Sequence, residues 1–225
     1  MKLNTNSNFY TLIYITVIIV VVALMLSIAS GALKSRQNAN VELDKKKQIL
    51  LSLPAVELKG ADIEKTYAQF IEKMVLLNYD GDIIKENVDF NYVPTKEEFP
   101  LYIANVEGQT KYIIPLNGAG LWGAIWGYIA LNDDKNTVYG VYFSHASETP
   151  GLGSNIVEKP FRQPFEGKHI LNAAREFVSV AIEKKGQKAN GREQVDAISG
   201  GTITSKGVEA MLENSMREYE KFFNR

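Results

Sequence analysis

Residues 101–115 read Leu-Tyr-Ile-Ala-Asn-Val-Glu-Gly-Gln-Thr-Lys-Tyr-Ile-Ile-Pro, and this stretch decides the fold class. Two runs rich in β-branched and aromatic residues flank the turn segment 107–109, which is typical of a β-hairpin. The arrangement recurs where residues 124–131 and 136–144 flank the polar segment 132–135. The sequence therefore predicts two consecutive hairpins in the middle of one domain.

Outside these hairpins, apolar residues recur at helical spacing. We expect helices over residues 41–53, 61–77 and 168–185, and another from Val208 toward the C-terminus. Strands that are grouped in the middle, with helices before and after, favour an α+β fold over an alternating parallel sheet.

Residues 9–33 carry no charge and are rich in isoleucine, valine and leucine. As a helix, such a run is long enough to cross a bilayer with some tilt. A secretory signal peptide is the alternative, but its apolar region is normally about 7–15 residues long. We interpret the run as an uncleaved transmembrane helix. It follows a short tail (1–8) and precedes a juxtamembrane helix with a linker (34–60) and the α+β domain (61–225).

The charges around this span leave its orientation open. The basic residues that follow it, beginning with Lys34 and Arg36, place the C-terminal part in the cytoplasm by a literal positive-inside count. Long domains, however, often translocate regardless of flanking charge.

Composition excludes several kinds of site. The 225 residues contain no cysteine, which excludes disulfides, thiolate iron–sulfur clusters and thioether-linked haem. The two histidines, His145 and His169, do not make a metal site without cysteine, and neither is placed as the base of a nucleophile. The formal net charge is −1 and no basic block follows the juxtamembrane lysines, so we expect no nucleic-acid partner.

Three segments marked by glycines lie at the ends of the predicted elements: 118–123, 145–154 and 196–205. Each alone is typical of a turn, but three in one domain favour a shared cleft. The last reads Asp-Ala-Ile-Ser-Gly-Gly-Thr-Ile-Thr-Ser, and its glycine pair lets backbone N–H groups approach an anion beside a helix N-terminus. With Thr204 or Ser205 as the expected N-cap, it predicts either a phosphate seat or a polar loop that caps a helix.

This last segment resembles the flavinylation motif Asp-x-x-Ser/Thr-Gly-Ala-Thr/Ser of FMN-binding domains that carry FMN through a phosphoester bond. It reads Asp-Ala-Ile-Ser-Gly-Gly-Thr over residues 196–202, with Gly201 in place of the usual alanine. Residues 120–122 (Gly-Leu-Trp) and 148–153 (Glu-Thr-Pro-Gly-Leu-Gly) also resemble that domain. Together with the apolar span and the total length, the chain resembles the family of C-type subunits (NqrC) of the sodium-translocating NADH:quinone reductases over nearly its whole extent.

The resemblance implies that a separate magnesium-dependent flavin transferase joins the phosphate of FMN, taken from FAD, to the Thr202 hydroxyl. Thr202 is then an attachment point and not a catalytic residue, and Gly201 implies slower recognition by the transferase without loss of attachment. Lys206 is close enough in sequence to offset the phosphate charge. The other cofactor-binding residues implied are Asp196, Ser199, Gly200, Gly201, Thr204 and Ser205 around the phosphate, and Trp122, Glu148, Thr149, Leu152 and Gly153 around the flavin ring.

Ser199, Thr204 and Ser205 are expected to hydrogen-bond phosphate oxygens, and Asp196 to order the loop. Trp122 has two interpretations, as a wall of the flavin site or as a core residue.

The function that the resemblance implies is an electron-relay role within a membrane NADH:quinone oxidoreductase coupled to sodium translocation. It places the chain in the bacterial inner membrane as a single-pass protein, in contact with lipid and the other subunits, with its C-terminal domain in the periplasm. Two alternatives stay open. One is the G-type subunit of the related ion-translocating ferredoxin:NAD oxidoreductase complex, and the other is a non-redox, membrane-anchored assembly protein whose loop binds phosphate without flavin.

Overall fold

The computed structural model describes residues 7–189 and 191–225, so most of the predicted tail (1–8) lies outside the described residues. Within them, the helices are α1 (Asn8–Leu51), α2 (Ile63–Phe70), α3 (Lys159–Arg162), α4 (Thr202–Arg217) and α5 (Glu220–Phe223). The strands are β1 (Ile71–Leu77), β2 (Ile83–Lys85), β3 (Phe99–Val106), β4 (Gln109–Ala119), β5 (Ala124–Leu131), β6 (Val138–His145), β7 (Ala181–Glu183) and β8 (Gln194–Asp196). The chain divides into two compact units, Met1–Asp44 and Lys45–Arg225.

The first unit consists of most of α1. Among the described residues, α1 is the one helix that is long and apolar enough to cross a membrane, and none of its apolar stretch is buried. The predicted span (9–33) and most of the predicted helix over 41–53 are parts of this single helix, which ends at Leu51, three residues before Pro54.

The second unit is built on a six-stranded antiparallel sheet with the strand order β2-β1-β3-β4-β5-β6. The pairs β3–β4 and β5–β6 are the two predicted hairpins, and both are confirmed. Glu107 and Gly108 have positive φ angles of 53° and 79°, as a two-residue hairpin turn requires. The α+β class is therefore confirmed as well.

The two faces of this sheet carry separate hydrophobic cores, because successive side chains of a strand point to opposite faces. On one face the sheet packs against α4 and the C-terminal residues, through side chains such as Met211 and Leu212. On the other face it packs against the end of α1 and the residues that follow it, including Ile49, Leu50 and Leu53.

The predicted helix over residues 61–77 is only half correct. Asp62 accepts hydrogen bonds from the N–H groups of Glu64 and Lys65 and caps α2, but α2 ends at Phe70. The residues that follow form β1, which pairs with β2 and β3 and is buried on both faces. A strand that is buried on both faces has a continuous apolar run, which periodicity does not distinguish from a buried helix.

The predicted helix over residues 168–185 is wrong. The side chain of Asn172 accepts hydrogen bonds from the N–H groups of Ala174 and Glu176, which forms a turn instead. Arg175 and Ser179 adopt positive φ angles of 60° and 59°, which break a helix. The segment ends in β7, which pairs in parallel with β8, so its apolar side chains enter the α4-side core from an irregular chain.

Candidate functional site

Helix α4 begins at Thr202, at the end of the third glycine-marked segment. Gly201 is its N-cap residue, with φ −115° and ψ 30°, so the prediction that Thr204 or Ser205 caps the helix was wrong. Both residues lie within the first turn and are buried. The Ser205 hydroxyl donates to the Gly201 carbonyl at 2.9 Å and accepts from the Ile198 N–H at 3.0 Å, which closes the loop onto the helix.

Thr202 is half-buried at the start of this helix. The first N–H groups of an α-helix have no partner within the helix and carry partial positive charge. The preceding Gly200 has a φ of +75°, and a Cβ built on it would lie 2.7 Å from Leu152 Cδ2. Glycine there allows the loop to pass close to the second glycine-marked segment.

The three glycine-marked segments converge on one cavity of about 280 Å³, which we call the site cavity. It is lined by Leu121, Trp122, Glu148, Thr149, Leu152, Gly153, Gly200, Gly201, Thr202, Ile203 and Thr204. The shared cleft expected from the sequence is therefore present. Leu121 and Ile203 were missed as lining residues, although each is a direct neighbour of a predicted one.

Three predicted residues do not line the cavity. Asp196 is the exposed last residue of β8, and Ser199 is exposed in the loop between β8 and α4. Ser205 is fully buried beneath that loop and stabilises it through the hydrogen bonds described above.

Glu148 lies buried at the cavity wall, with only 4% of its surface exposed. Its Oε1 accepts from the Trp122 N–H at 2.8 Å, and its Oε2 accepts from the Thr204 hydroxyl at 2.6 Å. Burial by itself raises the pKa of this carboxyl, but the hydrogen bonds from Thr204 and from the backbone of Trp122 and Leu121 outweigh it and hold the pKa below its ordinary value. Glu148 is therefore ionised at neutral pH.

These contacts change the expected roles of two hydroxyls. Thr204 and Ser205 each have one hydroxyl proton, and each donates it within the protein, to Glu148 and to the Gly201 carbonyl. Their predicted hydrogen bonds to phosphate oxygens do not fit this geometry, because an unprotonated phosphate oxygen accepts and does not donate. The donors that stay available by position are the N–H groups of the first turn of α4.

The mouth of the site cavity is apolar. Trp122 is 66% exposed, so its interpretation as a core residue is wrong. Its backbone is fixed on both sides, since the Ser147 hydroxyl donates to its carbonyl at 2.7 Å and its N–H donates to Glu148. Three further exposed apolar side chains surround the cavity with it: Leu121, Leu152 and Ile203.

Lys206, one turn after Thr202, forms ion pairs with Glu183 at 3.0 Å and with Glu209 at 2.7 Å. Glu209 also pairs with Arg192 at 2.8 Å, so these four charges balance one another. This network joins β7 and the residues before β8 to α4. It gives Lys206 two carboxylate partners of its own, where the sequence suggested a phosphate counter-ion.

The donor set fits a phosphate ester that carries a flat ring. A hydroxyl, Thr202, lies at a helix N-terminus that favours anions, and the adjoining cavity has apolar walls suited to an aromatic system. Among residues 7–189 and 191–225, no group of three or more histidine or acidic side chains is arranged to hold a metal ion.

The comparisons with known proteins agree with this geometry. The FMN-binding domain family matches residues 120–217, a range that contains every residue lining the site cavity. The chain is 29% identical to the C-type subunit of the Na(+)-translocating NADH-quinone reductase of Haemophilus ducreyi, over 92% of this chain and 89% of that protein.

Two crystal structures resemble the fold. The C-type subunit of the Na(+)-translocating NADH-quinone reductase from Parabacteroides distasonis is 44% identical, with a TM-score of 0.79 over 86% of this chain and 98% of that one. Shewanella oneidensis NqrC is 24% identical, with a TM-score of 0.68 over 83% of this chain and 97% of that one, and supports the fold alone.

Proposed function

The chain belongs to the NqrC family, the C-type subunits of Na(+)-translocating NADH-quinone reductases, and from this we propose that it carries FMN covalently on Thr202 and relays electrons within such a complex. As a member of this family, it is a flavin-bearing component of a multi-subunit membrane oxidoreductase. The phosphoester bond and the relay of electrons are the proposed part.

The observation that carries the proposal is the position of Thr202. Its hydroxyl belongs to the first residue of α4 and borders the site cavity, so a phosphate bonded to Thr202 Oγ would lie at the helix N-terminus. A ring tethered there would reach the apolar mouth formed by Leu121, Trp122, Leu152 and Ile203.

The attachment balances as a phosphoryl transfer. A bond forms between Thr202 Oγ and the phosphorus of the FMN half of FAD, the phosphoanhydride bond breaks, and AMP leaves while the transferase takes the hydroxyl proton. Asp196 and Ser199 are exposed beside the acceptor, so we assign them to contact with the transferase. The bound isoalloxazine supplies the redox chemistry, and the protein sets its position and surroundings.

The first test is the intact mass of the chain after co-production with a flavin transferase. We expect an added mass of FMN minus one water, which persists in denaturant and disappears in Thr202→Ala. Thr110→Ala, on β4 and away from the cavity lining, is the matched control and keeps the flavin.

Covalent flavin in Thr202→Ala would move the site to another hydroxyl, with Thr204 and Ser199 the next to test. A colourless wild-type protein would instead support the non-redox assembly protein. Co-purification with the other subunits, and reduction of the flavin by NADH only in that complex, tests the relay.

A further inference from the structure

A single buried carboxylate joins all three glycine-marked segments. Glu148 belongs to the second segment, its Oε1 binds the backbone of Trp122 in the first, and its Oε2 binds the hydroxyl of Thr204 in the third. The hydrogen bond to Thr204 is short, at 2.6 Å, and both of its partners are buried. Thr204 is the third residue of α4, two positions after the acceptor Thr202.

Two glycines leave the space that this carboxylate occupies. A Cβ built on Gly120 would lie 2.4 Å from Glu148 Oε1. A Cβ built on Gly153 would lie 2.4 Å from Glu148 Oε2 and 2.4 Å from Thr204 Oγ1. Real Cβ atoms do not approach other atoms so closely, so these glycines and the buried carboxylate form one arrangement.

Charge is part of this arrangement. Burial of a carboxylate is costly unless its oxygens are hydrogen-bonded, and here a hydroxyl and backbone N–H groups donate to it. Such charge-assisted bonds are about twice as strong as neutral ones. Glutamine has the same shape, but one of its two terminal atoms is a donor and would face a donor of Thr204 or of the Trp122 backbone.

We propose that Glu148 is a positioning residue that fixes the start of α4 against the Trp122 wall of the site cavity, so that Thr202 and the flavin wall have one relative geometry. This rests on the proposed attachment of FMN at Thr202. Glu148 then acts through Thr204 and Trp122, and not as a direct flavin ligand.

The test combines four variants of the full-length chain in detergent: Glu148→Gln, Thr204→Val, Thr204→Ser and the double variant Glu148→Gln/Thr204→Val. Glu158→Gln, at an exposed glutamate before α3, is the matched control. The rate of FMN attachment by the transferase with FAD and Mg²⁺ is measured by intact mass. Backbone amide hydrogen exchange is measured on the flavin-free chain.

We expect Glu148→Gln and Thr204→Val each to slow attachment about tenfold, the effect of losing one charge-assisted hydrogen bond. The double variant should be no slower than either single variant, because both remove the same bond. Thr204→Ser keeps the hydroxyl and should attach FMN at nearly the wild-type rate, as should Glu158→Gln.

The exchange measurement separates positioning from local packing. Thr204→Val should speed exchange at residues 121–123, which Thr204 does not contact, as well as at 202–206. Unchanged exchange at 121–123, or additive effects in the double variant, would overturn the positioning role. A wild-type chain that acquires no FMN would overturn the proposed function instead, and the exchange results would still decide the role of Glu148.

Discussion

Gly201 stands where the flavinylation motif usually has alanine, and its neighbours explain the difference. A Cβ built on Gly201 would lie 3.0 Å from Ile198 Cγ2, 3.2 Å from Ile198 Cβ and 3.3 Å from the Gly153 nitrogen. The nearest of these atoms is the β-branch of isoleucine. The β-branch of Ile198 therefore fills space that a methyl group on residue 201 would need.

We therefore expect Gly201→Ala to lower the free energy of unfolding by about 1–3 kcal/mol, as overpacking does, and to slow FMN attachment. Adding Ile198→Leu removes the β-branch and should restore most of both losses. Thermal denaturation and intact mass measure the two effects. A Gly201→Ala variant that is more stable than the wild type would show that the space is open.

At the scale of elements, the sheet was more predictable than the segments around it. Both hairpins followed from β-rich runs that flank short polar turns. Residues 71–77 and 168–185 were not predictable in this way, because burial on both faces of a strand, or by an irregular chain, leaves apolar spacings that mimic a helix.

The site was predictable to a similar extent. The order of three glycine-marked segments, together with the family resemblance, indicated most of the residues that line the cavity. The role of Glu148 was not predictable, because the partner of a buried carboxylate is set by tertiary packing between residues 56 positions apart. The N-cap was missed for a related reason, since Thr204 and Ser205 are recruited by partners outside the helix backbone.

The packing of α4 on β4 gives a test at this scale. A Cβ built on Gly207 would lie 2.6 Å from the Ala119 carbonyl oxygen, so glycine permits close approach of the helix to the sheet. Alanine is the better helix former by about 1 kcal/mol, yet we expect Gly207→Ala to lower the free energy of unfolding by about 1–3 kcal/mol.

Asn214→Ala, at an exposed position of the same helix, is the control and should be neutral or slightly stabilising. Denaturant unfolding of the two variants compares these effects. Equal stabilisation by both substitutions would mean that α4 and β4 separate easily enough to admit the methyl group.

At the scale of the whole molecule, the compact unit begins at Lys45, before the linker predicted over residues 34–60 has ended. Ile49, Leu50 and Leu53 are at most 1% exposed and cover one face of the sheet. The residues after the apolar span are therefore part of the folded domain. The nearby Trp126 indole also donates to Gln48 at 3.0 Å.

We propose that this unit faces the periplasm, against the literal count of flanking lysines. A reporter fused after Arg225 that is active only in the periplasm should therefore be active, and a matched reporter that is active only in the cytoplasm should be silent. Fusions after Met1 should give the opposite pattern. Cytoplasmic activity at the C-terminal fusion would reject the assignment.

The hydrogen bond between Thr204 and Glu148 has a consequence for the order of events in biosynthesis. The ribosome completes β3 to β6 and Glu148 well before it makes α4, and domains generally fold as units. The acceptor threonine thus acquires its native surroundings only when the last part of the chain has docked. A transferase that depends on those surroundings would add the cofactor to finished molecules alone, and the yellow colour of the protein would then be a record that folding was completed.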